Sequence, residues 1–137
     1  MMVTDNKKQS PYGAYKEFID ILVSDALTGG MGMRIKSGLP VLPPILVDEN
    51  AEVITYRKFV ESLTESQLQL FVNLLRNERV GGYHDLLAQL TYHIDLNGFG
   101  MTFNGQPMPV GIEGGLHQDF IGRLDGGYKW RENPPNR

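Results

Sequence analysis

Two short runs hold the side chains best suited to chemistry: His84-Asp85, and His117-Gln118-Asp119 with Glu113 and Arg123 close by. A histidine beside a carboxylate can bind a metal or act as an oriented general base, but either role needs a second group to act upon. His84-Asp85 is like the pair of metal-dependent phosphohydrolases, whose chemistry calls for an upstream histidine on another helix. His84 is the first histidine in the chain, so that set is incomplete. On one unbroken helix His84 and His93 are separated by about 900° and point to opposite faces. Asp95 returns to the face of His84 but lies roughly 16 Å along the axis. A site of His84, Asp85, His117 and Asp119 therefore requires tertiary contact between two distant segments, with Arg123 as a further candidate. The simpler reading places Asp85 at the positive end of a helix dipole and His84 at a surface boundary. It pairs Asp119 with Arg123 at i, i+4, with Phe120 buried between them.

Other templates fail on spacing. Gly29-Gly30-Met31-Gly32-Met33-Arg34-Ile35-Lys36-Ser37 has glycines ahead of Lys-Ser, but a phosphate loop needs glycine directly before the lysine and a helix directly after. Here Ile35 precedes Lys36 and Gly38-Leu39-Pro40 follows, which reads as a helix end and a loop. No serine lies in a Gly-x-Ser-x-Gly elbow. The absence of cysteine excludes disulfides, thiolate nucleophiles and cysteine-held metals. No cofactor and no metal is expected. The balance of 13 basic against 16 acidic residues, net charge -3, disfavours nucleic acid as a partner.

These residues must be positioned by a mainly helical α+β fold: about four helices, a β-hairpin and an ordered, glycine-rich C-terminal segment, all in one domain over residues 1–137. Residues 1–9 and 132–137 are expected to be flexible. Ser10-Pro11 reads as an N-cap followed by proline at the first helical position. Tyr15, Phe18, Ile19, Leu22 and Ala26 then form one helical stripe, which Gly29-Gly30 ends. Seven Gly or Pro residues between 29 and 49 predict loop, with Val41-Leu42 and Ile45-Leu46-Val47 extended. A second helix is expected from Asp48 or Asn50 to Ser62. Thr64 and Gln67 form a capping box for a third, ending near Gly81-Gly82, and a fourth runs from Tyr83 to Leu96. Residues 98–127 hold nine glycines, where Asn104-Gly105 favours a type I′ hairpin between residues 100–103 and 106–110. A helical turn is expected at His117–Leu124. Trp130, alone of its kind, reads as an anchor for the C-terminal segment rather than an exposed hot spot.

The chain resembles a family of small bacterial proteins of unknown function, about 130 residues long. The resemblance rests on Tyr15-Lys16-Glu17-Phe18-Ile19-Asp20, Gly38-Leu39-Pro40, Gly82-Tyr83-His84-Asp85 and Asp119-Phe120-x-x-Arg123-x-x-Gly126-x-x-x-Trp130. It implies a compact bacterial cytoplasmic domain and carries no activity, ligand or catalytic residue with it. It does mark His84, Asp85, Asp119, Arg123 and Trp130 as residues that gather around a site or a fixed turn.

With no complete catalytic template, the favoured function is a non-catalytic protein-binding module, more enzyme-like roles being the weaker reading. An immunity or antitoxin-like role fits an acidic chain that meets a basic partner. The alternative is a small metal-assisted hydrolase using the His/Asp set. A third reading is a structural or assembly role, including a homo-oligomer in which the edge strand Gln106–Val110 or an apolar helix face meets its twin. No apolar run is long enough to span a membrane and no secretory signal opens the chain, so the expected location is the cytoplasm.

Overall fold

In a computed structural model the described residues are 9–39, 51–126 and 128–135. The element order is α1 (Pro11–Thr28), α2 (Gly30–Lys36), α3 (Ala51–Ser62), α4 (Glu65–Leu96), β1 (Thr102–Phe103), β2 (Gln106–Pro107) and α5 (Leu116–Leu124). The fold is thus mainly helical α+β, as the periodicity indicates. The extended segments expected at 41–47 lie outside the described residues, as does most of the N-terminal stretch expected to be flexible.

Local chemistry accounts for most boundaries. The Ser10 hydroxyl accepts the Gly13 N–H at 3.0 Å, capping α1 one residue ahead of Pro11. Thr64 and Gln67 cap α4 reciprocally: the Gln67 side chain accepts the Thr64 N–H at 2.9 Å, and the Thr64 hydroxyl accepts the Gln67 N–H at 3.3 Å. Asn104 and Gly105 have φ of 51° and 76°, the two left-handed residues that a type I′ turn requires. The strands pair antiparallel, Thr102 opposite Pro107 and Phe103 opposite Gln106.

Two expectations are corrected. Residues 30–36 form a short helix rather than a loop. Gly81-Gly82 does not break the chain, because α4 runs through it for 32 residues. Leu68, Val72, Leu75 and Arg79 before the pair and Tyr83, Leu87, Leu90 and Ile94 after it keep three- and four-residue spacing in phase. Tertiary burial of one continuous stripe therefore outweighs the poor helix propensity of glycine, which weakens the helix but removes no hydrogen bond.

The chain divides into two compact units, one of residues 1–23 and 83–137 and the other of residues 24–82. The core of the first contains Tyr15, Ile19, Leu87, Ile112, Leu116 and Phe120, all buried. In the second, Ala26, Ile35 and Val72 are buried, and a side chain on Gly32 of α2 would meet the Val72 carbonyl at 2.9 Å. No residue of α3 is buried. Among the described residues, no helix is long and apolar enough to cross a membrane.

Candidate functional site

The first unit is organised around one side chain. Asp119, at the start of α5, is completely buried. Its carboxylate accepts four hydrogen bonds. Oδ2 takes the Tyr15 hydroxyl at 2.5 Å and the Ile112 N–H at 2.6 Å, while Oδ1 takes the Tyr128 hydroxyl at 2.7 Å and the Glu113 N–H at 3.1 Å. Two donors per oxygen fill the acceptor capacity of a carboxylate, which is how a charge of this kind is tolerated away from water. The Tyr15 oxygen in turn accepts the Gly111 N–H at 3.1 Å. Gly111 has φ of 88°, a left-handed conformation that favours glycine, and a Cβ there would lie 1.8 Å from the Gly114 carbonyl oxygen. Burial, with the hydrogen bond to Asp119 adding to it, pushes the Tyr15 phenol well above the ordinary tyrosine range. The same two causes, in the same order, raise Tyr128.

A second polar cluster shares the same elements. Arg123 forms a two-pronged pair with Asp20 of α1, at 2.7 and 3.1 Å, and donates to the Tyr128 carbonyl at 3.0 Å. Trp130 donates its indole N–H to Asp20 at 3.0 Å, and the guanidinium carbon of Arg123 lies 5.2 Å from the Trp130 ring centre. Arg131 pairs with Glu113 at 2.7 and 2.9 Å, and its carbonyl accepts the Tyr12 hydroxyl at 2.8 Å. The ring of Tyr128 needs a bare α-carbon beneath it: a Cβ on Gly122 would lie 1.7 Å from Tyr128 Cε1. The C-terminal segment is therefore an anchored strap, with Trp130 as its tie to α1.

The expected Asp119–Arg123 pair is corrected by this arrangement. Both residues turn to α1, Asp119 to Tyr15 and Arg123 to Asp20, while Phe120 between them is buried as expected. The i, i+4 rule governs an exposed helix face, whereas α5 presents this face to other elements. Spacing alone does not single out Tyr15, Asp20 and Tyr128 as polar partners. The signal was nonetheless present in the resemblance, because the Tyr15-to-Asp20 and Asp119-to-Trp130 segments prove to be each other's partners.

The remaining candidates are close together. His84 on α4 and His117 on α5 have ring centres 5.4 Å apart at an interplanar angle of 82°. His84 Nδ1 lies 3.1 Å from the exposed Asp85 carboxylate, while Nδ1 of His117 is buried and has no hydrogen-bond partner among the described residues. The His117 ring lies over Gly115, where a Cβ would sit 2.7 Å from Nδ1. Thr91 fixes the same junction, its hydroxyl accepting the Leu116 N–H at 3.0 Å and donating to the Leu87 carbonyl at 2.8 Å. His84 thus meets His117 on one side and its chain neighbour Asp85 on the other, whereas the Asp119 carboxylate is committed to the tyrosine network. Among the described residues no group of three His, Asp or Glu side chains is arranged to hold a metal ion.

No curated protein and no solved structure matches this chain. A model of a family of unknown function, DUF6547, matches residues 8–132 of the 137, a span that includes the whole Asp119 network and the strap. The chain belongs to the DUF6547 family.

Proposed function

We propose that the chain is a non-catalytic protein-binding module. The observation that carries this reading is a pair of leucines on α4 one turn apart: Leu70 is 71% and Leu74 64% exposed. Two large aliphatic side chains on one helix face suit a partner with an apolar groove that receives a helix ridge. The net charge of -3 favours a basic partner, the arrangement of an immunity or antitoxin-like protein. The fully hydrogen-bonded state of Asp119 supports the same reading, since a carboxylate holding four donors would have to give some up to take a proton from a substrate. The test compares crosslinked complexes formed in cells by the wild-type chain and by a Leu70→Asp/Leu74→Asp variant. Complexes formed by the first and lost by the second are the expected result. Identical complexes, or none with either chain, would overturn it.

The 5.4 Å approach of His84 and His117 favours metal-assisted hydrolysis as a second reading. A carboxylate behind one imidazole is the support that metal-binding histidines use. Titration with Zn²⁺, followed by the imidazole proton resonances, tests it. Shifts at His84 and His117 but not His93 would support a shared ion, and no selective shift would end the idea.

A further inference from the structure

We propose that α4 carries a hinge at Gly81-Gly82, where the helix opens and bends locally while the turns on either side stay formed. Glycine in a helix interior commonly answers a steric or a conformational demand, and neither exists here. Among the described residues, a Cβ built on Gly81 or on Gly82 would meet nothing within 4 Å. Neither residue has positive φ, and both lie within the continuous helix. The inward stripe, apolar except for Arg79, continues in phase across the pair, so packing does not call for a break there either. What remains is backbone freedom. Each glycine weakens a helix about fivefold relative to alanine, so two in succession make an opening near them roughly twenty-five-fold more populated. The flanks are rich in good helix formers, Leu74-Leu75-Arg76 on one side and Leu86-Leu87-Ala88-Gln89 on the other. The boundary between the two compact units crosses the chain twice, between Val23 and Ser24 in α1 and between Gly82 and Tyr83 in α4, and only the crossing in α4 falls at glycine.

The open space around both residues makes the test direct, because a Gly81→Ala/Gly82→Ala variant introduces no clash and should fold. Spin labels at Gln69 and Gln89 on α4 report the distance across the pair, which is about 30 Å along a straight helix of 20 residues. Native-state amide exchange on the same proteins reports local opening. In the wild type a broad or two-peaked distance distribution is expected. The amides of residues 81–86, whose hydrogen bonds such an opening breaks, should exchange at least tenfold faster than those of residues 72–75 and 87–91. The double-alanine variant should show a single narrow distance near the straight-helix value, with exchange over 81–86 slowed by an order of magnitude. A single narrow distance in the wild type overturns the hinge. Exchange over 81–86 as slow as in the flanking turns overturns it equally.

Discussion

The segment richest in glycine is firmly tied within the first unit, while helices of both units leave large apolar side chains uncovered, Leu86 and Leu96 in the first and Leu70 and Leu74 in the second. Residues 111–131 include a fully buried carboxylate with four donors, two bidentate ion pairs to arginine and a tryptophan tied to α1. In α3, by contrast, no residue is buried, and Phe59 is half exposed although its ring meets Phe71 edge-on at 5.5 Å. Order in a chain therefore follows from partners and not from propensity. Glycines at 111 and 122 permit the close approaches that polar anchors then fix, whereas a good helix-forming sequence acquires fixed surroundings only where its apolar face is covered.

If Asp119 is the keystone of that contrast, its removal should have the largest effect of any single substitution. Asp119→Ala leaves two phenols and two backbone N–H groups without their acceptor. The expected loss is about 4 kcal/mol or more, enough to abolish a cooperative urea transition in a marginal domain. Asp119→Asn keeps the shape but turns an acceptor into a donor facing other donors, and should lose less than the alanine variant while staying well below wild type. Equal urea midpoints for wild type and Asp119→Ala would break the comparison. Trp130→Ala comes next, at about 2–4 kcal/mol, because the ring is only partly buried but contributes its indole hydrogen bond and its contact with Arg123. A thermal melt unchanged by that substitution would make the strap a passenger on α1 and α5.

A third, smaller effect depends on pH. Tyr15 and Tyr128 have phenols raised above their unfolded value, so the native state keeps these protons after the unfolded chain has released them. Their contribution to stability is fully present below about pH 10 and falls as pH rises beyond it. Urea midpoints should therefore decline on the alkaline side. Of the six tyrosines, these two should ionise, by absorbance near 295 nm, only as the chain unfolds. Titration of all six before any loss of helical signal would separate the phenols from the carboxylate.

Much of the scaffold was legible in the chain. The Ser10 cap, the Thr64–Gln67 box, the Asn104-Gly105 turn and the Tyr15/Ile19/Ala26 stripe depend on residues close in sequence, and each occurs as its local chemistry dictates. The continuity of α4 was not legible from Gly81-Gly82 alone, since propensity argues for a break and only the in-phase stripe on both sides argues against it. The Asp119 network was hidden for a different reason. Its hydrogen bonds to Tyr15 and Tyr128 join positions 104 and 9 residues apart. Helical periodicity marks Tyr15 as buried but says nothing of where its hydroxyl points. The approach of His84 and His117 was framed by the sequence as a condition on tertiary structure, and that part alone of the four-residue set comes together.

The smallest stability effect should come from the side chains given the largest functional weight. Leu70 and Leu74 are exposed, so replacing either by aspartate removes little covered apolar surface, and α4 keeps its caps, its stripe and its backbone hydrogen bonds. Each change should alter the unfolding free energy by no more than about 0.5 kcal/mol, as surface substitutions usually do. Leu75, half-buried on the neighbouring face of the same helix, is the matched control, and Leu75→Asp should destabilise by several times as much. The comparison is made by urea unfolding of the three variants beside wild type. If Leu70→Asp proves as damaging as Leu75→Asp, the α4 leucines are covered within this chain, and the second unit is as tightly tied as the first. If the exposed positions are neutral in the isolated chain yet lose the crosslinked complexes of the wild type, the uncovered face has a use outside it. The two regions would then differ in purpose as well as in order, one holding the fold and the other meeting a partner.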